Sequence, residues 1–354
     1  MTITTEGCGS STRRVGETSE PCGEPQLINA RWREETVKCG DEAGMLAETV
    51  NIPAGTDATF TLKRTSDNGT ITSETSNTQP SSVTGTWISQ KPSDTWNGAE
   101  VKFTAAAAGL RADSRDAQLS FHRYANIAQA TISGRMASTN REGKNFGWDK
   151  KVHIEFTDRQ MVLTVKVHFL NRTQPRPERG KKEEPADYRT RCEAVPIGGP
   201  VPEDVKQNIK NTIEGVYREQ LHLHRHDCRR GNACNCNLRY QCCKFKVEVR
   251  AEFVETSGDM IHEVNLWPGS ARANSNHWHR IESRPGKTWA HELGHLMGFY
   301  DEYPEGATGS PPWQPDVEDS LMGSGTDVYD YHLEEFRSWF CTQSSEQFDL
   351  KRNA

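Results

Sequence analysis

Thr288-Trp289-Ala290-His291-Glu292-Leu293-Gly294-His295-Leu296-Met297-Gly298-Phe299-Tyr300-Asp301-Glu302-Tyr303 is the most informative stretch of this chain. Its first half has helical periodicity, and two histidines four apart on a helix lie one turn above the other on the same face. Both imidazoles can therefore reach one ion. Zinc accepts nitrogen and oxygen donors in tetrahedral geometry, and three protein ligands leave the fourth position for water. Glu292, next to the first histidine, stands where a base could take a proton from that water. Gly298 comes three residues after His295, where the helix must stop and the chain turn sharply through a positive φ. Asp301 follows three residues later and is the expected third ligand. Glu302 and Tyr303 are its neighbours and rivals, since carboxylates and phenols both ligate zinc, and Glu318 lies further on. The plain alternative, two histidines on a structural helix, leaves Glu292, Gly298 and Asp301 as coincidences.

Downstream, Ser320-Leu321-Met322-Gly323-Ser324-Gly325 places a methionine in a glycine-rich turn before a last amphipathic segment. Alone, Met322 reads as ordinary loop packing. Together, H-E-x-x-H-x-x-G-x-x-D and this turn resemble the extended zinc motif and Met-turn of the metzincin peptidases. The usual third ligand there is His, and the Asp found here is similar to the snapalysin-like branch. The resemblance covers residues from about 150 to 345. It implies an α+β catalytic domain, a mixed twisted sheet with long helices, holding one catalytic zinc on His291, His295 and Asp301. It further implies peptide-bond hydrolysis with Glu292 as general base and a protein or peptide as substrate. A tyrosine hydroxyl helping to hold the oxyanion would be Tyr303, Tyr329 or Tyr331, each of which reads equally as a core residue. Metzincin substrates pair with an edge strand before the zinc helix, and Asn276-His277-Trp278-His279-Arg280-Ile281-Glu282 occupies that place. His277 and His279 share one face of it, as a second metal pair or as a plain surface strand.

Outward from the motif, residues 1–25 are Gly-, Ser-, Thr- and Glu-rich and read as a flexible leader. From residue 26 to about 125 short segments rich in Val, Thr, Phe and Trp alternate with turn signals such as Asp67-Asn68-Gly69 and Asn97-Gly98. That pattern predicts a small antiparallel β-sandwich, immunoglobulin-like in kind, or else strands that extend the next sheet. Residues 126–149 read as a polar linker, and the second domain as residues 150–354. In it, strands are expected at 152–156, 161–169, 245–254, 261–267 and 277–282, and a Pro- and charge-rich loop at 171–200. Val205, Ile209, Ile213, Val216, Tyr217 and Leu221 mark one helix, and Tyr331, Leu333, Phe336, Trp339 and Phe340 a last one.

At 354 residues, two domains can each bury a core. A formal net charge of −6 makes a poor nucleic-acid or anionic-membrane binder, and no apolar run is long enough to span a bilayer. The amino terminus lacks the basic start and apolar stretch of a secretory signal. Ten cysteines are nonetheless more than a reduced cytosolic enzyme usually carries. Cys228, Cys234, Cys236, Cys242 and Cys243 crowd into an expected insertion at 228–243, near His222, His224 and His226. Disulfides, a structural zinc knot and free thiols are the three readings. The combination is similar to effector proteases that are secreted or injected without a classical signal, with export machinery or an inhibitor as partner; cytoplasmic residence is the alternative. A rival function is a non-catalytic zinc-binding or adhesion module derived from a peptidase.

Overall fold

The computed structural model describes residues 24–353, except 39, 66–67, 90–100, 115–119, 122–123, 125–126, 141, 158–159, 181, 230–233, 235–242 and 310–318. The leader up to residue 23, the Asn97-Gly98 turn and Glu318 lie outside the described residues. The chain divides into two compact units, Met1–Arg123 with Asp227–Cys243, and Tyr124–His226 with Lys244–Ala354.

In the first unit, β1 (Gln26–Trp32), β3 (Glu42–Val50) and β6 (Ser82–Ile88) form one antiparallel sheet. A second antiparallel sheet runs β5 (Thr70–Asn77), β4 (Asp57–Arg64), β7 (Val101–Ala107) and β8 (Leu110–Asp113), while β2 (Thr36–Val37) pairs with β9 (Ser120–Phe121). Strand side chains alternate between faces, so Ala58, Phe60 and Leu62 of β4 and Val101, Phe103, Ala105 and Ala107 of β7 are buried together. Trp32 meets Phe103 edge-on at 5.0 Å, and Phe60 meets Phe103 at 5.5 Å. Gly85 of β6 lies flat on the Phe60 ring, where a Cβ would come within 2.7 Å of it. The β4–β5 turn uses Asn68 at φ +57°, a left-handed conformation that asparagine tolerates. Cys228, Cys234 and Cys243 are buried in this same core. The cysteine-rich segment therefore belongs with the first unit and not, as an insertion, with the second.

The second unit begins before residue 150. β10 (Ala130–Thr139) and β11 (Asn145–Thr157) pair over ten residues as a hairpin, where the composition predicts a linker. β10 has no buried residue, so its face carries no hydrophobic pattern. β12 (Gln160–Asn171) pairs antiparallel with β11 and parallel with β14 (Lys244–Val254). β13 (Leu221–Arg225) and β17 (Phe348–Arg352) extend the sheet beyond β14. β15 (His262–Trp267) runs parallel to the end of β12, and β16 (His277–His279) parallel to β15 at an edge.

The helices are α1 (Pro185–Ala194), α2 (Glu203–Tyr217), α3 (Thr288–Met297) and α4 (Glu334–Ser344), the last preceded by a 3-10 turn, Asp330–Leu333. α1 falls in the expected loop, because only Cys192 of its residues is buried and it has no apolar stripe to announce it. In α2, Ile209, Ile213 and Tyr217 recur every four residues and face the core, and Leu221 already belongs to β13. The Tyr217 hydroxyl donates to the Ala290 carbonyl at 3.0 Å, tying α2 to α3. α3 is buried from Trp289 to Met297, which explains its apolar composition between the two histidines. Cys192 and Cys341 hold buried thiols outside any disulfide. No helix among the described residues is long and apolar enough to cross a membrane.

Two buried histidines and the half-buried His277 give this unit an acid sensitivity. Burial lowers His222 and His262 to about 4 and His277 to about 3. The unfolded imidazoles titrate near 6.5. Their folded pKa values are depressed, so the unfolded chain binds the extra protons: stability is full above about pH 6.5 and falls as the pH drops towards 4. Each contributes a slope of up to about 1.4 kcal/mol per pH unit. Urea midpoints measured at pH 7 and pH 5 should differ accordingly, and His262→Gln should flatten the dependence. Equal midpoints would show that these rings are not buried in neutral form.

Candidate metal centre

α3 presents His291 and His295 one turn apart, and the loop after it returns Asp301 to them. The His291 Nδ1 lies 2.8 Å from the Leu321 carbonyl and the His295 Nδ1 3.0 Å from the Phe299 carbonyl. A carbonyl can only accept, so each Nδ1 carries a hydrogen and each Nε2 is the ring nitrogen turned away from these partners, free to lose its proton to a metal. The two Nε2 atoms lie 3.2 and 3.3 Å from Asp301 Oδ1. All three donor atoms fall within 4.8 Å of one another. Asp301 Oδ2 accepts the Ala307 N–H at 2.6 Å, whereas the buried Oδ1 accepts no hydrogen bond among the described residues. Two outwardly fixed imidazoles and an orphaned carboxylate oxygen fit a zinc ion with three protein ligands.

The electrostatics agree with a cation there. Burial pushes the Asp301 carboxyl up, but His295 and His291 outweigh it and hold it well below the usual range. Burial pushes His295 down, but Asp301 outweighs it and raises the ring to about 9. Positive charge is thus favoured where the three donors meet. Glu292 is 5% exposed, its Oε2 has no hydrogen-bond partner among the described residues, and burial raises its pKa. A carboxylate poorly solvated in this way is a stronger base than one in water.

Gly298 and Met322 lie in turns that pack against the two histidines' helix. Gly298 ends α3 at φ +99°, and the turn sets the Phe299 carbonyl against His295. A tight turn at Ser320–Gly323 closes with Gly323 N–H to Ser320 O at 3.0 Å. It sends the Leu321 carbonyl to His291 and accepts the Glu302 N–H on the Met322 carbonyl at 3.0 Å. Met322 is fully buried against Gly294, whose Cβ would come within 2.8 Å of its sulfur. Gly294, between the two histidines, thus leaves room for the Met322 sulfur and the Phe299 ring to pack against the helix.

Among the tyrosines, Tyr303 stacks on His291 at 6.4 Å, and its hydroxyl is kept protonated by burial and by Asp301. Tyr331 donates instead to Glu302 Oε1 at 2.6 Å, and Tyr329 stacks on Tyr331 at 5.5 Å. Glu302 Oε1 also faces His332 Nε2 at 2.9 Å. Burial raises Glu302, but His332, Ser320 and Tyr331 outweigh it, so its charge is already matched. Glu302 Oε2 is buried without a hydrogen-bond partner among the described residues, but Glu302 does not belong to the converging donor group. His277 Nδ1 accepts the Trp267 indole N–H at 3.0 Å, and neither His277 nor His279 joins a converging ligand group among the described residues.

Four contributors escape the motif. Trp148 of β11 donates its indole N–H to the His295 carbonyl at 2.7 Å and sets its ring 5.6 Å from that imidazole. Lys287 bridges the start of α3 to the Gly323 carbonyl at 2.8 Å. His332 anchors Glu302, and Gly306 lies against Asp301 so closely that a Cβ there would be 2.4 Å from the Asp301 Cβ. Only the lone tryptophan in a polar stretch offered a signal in the sequence.

No family model matches this chain, and no curated protein does. Among solved structures it is similar to the sporulation control protein Spo0M from Bacillus subtilis, at 10% identity and a TM-score of 0.21, over 39% of this chain and 77% of that one. A second likeness is to a Bifidobacterium dentium beta-glucuronidase complexed with coumarin-3-O-glucuronide, at 6% identity and a TM-score of 0.15, over 55% of this chain and 26% of that one. Neither superposition is close enough to speak to fold or function.

Proposed function

We propose that this protein is a zinc-dependent endopeptidase with a metzincin-like second unit, preceded by an immunoglobulin-like accessory domain. The reading rests on one observation above the others: His291, His295 and Asp301 turn three donor atoms towards one another, while Glu292 is buried beside them with its Oε2 free of hydrogen-bond partners among the described residues. His291, His295 and Asp301 would hold the zinc ion, which would supply Lewis acidity for a peptide carbonyl and for water. Glu292 then takes the proton from the attacking water and passes it to the leaving amine nitrogen, a shuttle that its raised basicity favours. Tyr303, protonated and stacked on His291, is the donor best placed to steady the developing oxyanion.

Among the described residues β16 pairs with β15 alone, but on its outer edge His277 exchanges backbone hydrogen bonds with Asn274 and the His279 carbonyl accepts the Trp289 indole N–H, so an extended substrate could pair there only by displacing them. Ile281, 61% exposed just beyond it, offers an apolar contact to such a chain. The purified protein should cleave an unfolded polypeptide such as casein, lose that activity on chelation and regain it with zinc. Cleavage that survives thorough metal removal would overturn the mechanism. Stable zinc binding without cleavage would make the domain a binding module.

A further inference from the structure

The segment Asp227–Cys243 is poor in material for a core of its own. Apart from its cysteines, it offers only Ala233, Leu238 and Tyr240 as apolar side chains. Segments of this composition are ordinarily held by cross-links or a metal. Cys228, Cys234 and Cys243 are buried to 5%, 8% and 1% exposure, in the core of the first unit. Their sulfurs belong to one convergent group, with donor atoms within 4.8 Å of one another.

Three sulfurs in one cluster suit a metal better than a disulfide. A disulfide joins two of them and leaves the third crowded against the bond. Cys234 Sγ and Cys243 Sγ stand 3.2 Å apart, against about 2.05 Å in a disulfide. Thiolates of this kind are soft donors, for which zinc is the common structural ion. The backbone also leaves room for the first sulfur: Gly40, at φ +93°, would bring a Cβ to 2.6 Å from Cys228 Sγ, so any larger residue would collide with it. The Arg229 N–H donates to the Gly40 carbonyl at 3.1 Å, holding the cysteine against that turn.

We propose that Cys228, Cys234 and Cys243 are ligands of a second, structural zinc ion, which fastens the 227–243 segment to the first unit. Three thiolates leave one coordination position for a fourth donor. Binding exchanges the thiol protons for the metal and changes no oxidation state. The site is independent of the peptidase centre, and its test is separate from activity.

The experiment is a count of zinc per chain by native mass spectrometry, on protein purified under reducing conditions. Two equivalents are expected in the wild type and one in Asp301→Ala. The equivalent remaining in Asp301→Ala should be released by an organomercurial thiol reagent, read with a chromogenic chelator. This needs no cysteine variant to fold. Cobalt in its place should show a thiolate charge-transfer band, and Cys234→Ser should weaken that band and lower the zinc count by one. The proposal is overturned if Asp301→Ala holds no zinc, if the mercurial releases none, or if mass mapping without reduction finds these cysteines in disulfides.

Discussion

Glu292→Gln should leave zinc bound and the fold intact while turnover falls by about 10² to 10⁴, the usual effect of losing a general base. Glutamine keeps the length of the side chain in a position only 5% exposed, so little repacking follows. What it removes is the charge and the proton affinity that burial raises in Glu292. Metal content and rate must separate. A variant that lost zinc together with activity would show Glu292 to be a ligand, and one that kept full activity would move the base elsewhere.

Asp301→Ala should remove zinc from the catalytic position altogether under conditions where the wild type is saturated. It deletes one of three protein ligands and also releases the Ala307 N–H that Asp301 Oδ2 accepts. The loss of affinity should exceed the roughly 10- to 100-fold typical of residues that merely orient a ligand. Gly306→Ala should fall within that smaller range, since a methyl group there would press on the Asp301 side chain without replacing it. Glu302→Ala should keep the zinc, because its Oε1 serves Tyr331 and His332. Metal titration of the three variants against the wild type decides the order. Occupancy that followed Glu302 and ignored Asp301 would place the third ligand elsewhere.

The elements around the motif were legible because packing imposed periodicity on them. α2 repeats its apolar residues every four positions and is half-buried, and β12 is buried on both faces, so each carries the pattern its environment demands. β10 and α1 are held by backbone pairing and local hydrogen bonds with almost no buried side chains, and their sequences look like linker and loop. The same logic divides the site. Histidines spaced by a helical turn announce themselves, whereas Trp148 and Gly306 reach the centre only through tertiary folding. The three candidate tyrosines were equivalent in sequence and became distinct only through their partners, His291 for Tyr303 and Glu302 for Tyr331.

The assignment of Asp227–Cys243 to the first unit has a bearing on how the polypeptide is made. The chain leaves the first unit after Arg123, returns to it at Asp227 and leaves again after Cys243. During synthesis, β1 to β9 emerge from the ribosome long before the cysteines buried in their core. The early part must therefore wait, incompletely packed, until residue 243 has been translated. A fragment cut near residue 125 would never acquire those sulfurs, and a fragment starting there would carry them as a displaced loop. Separating the two halves cleanly calls for grafting residues 227–243 onto the first by a short linker, and joining His226 directly to Lys244 in the second.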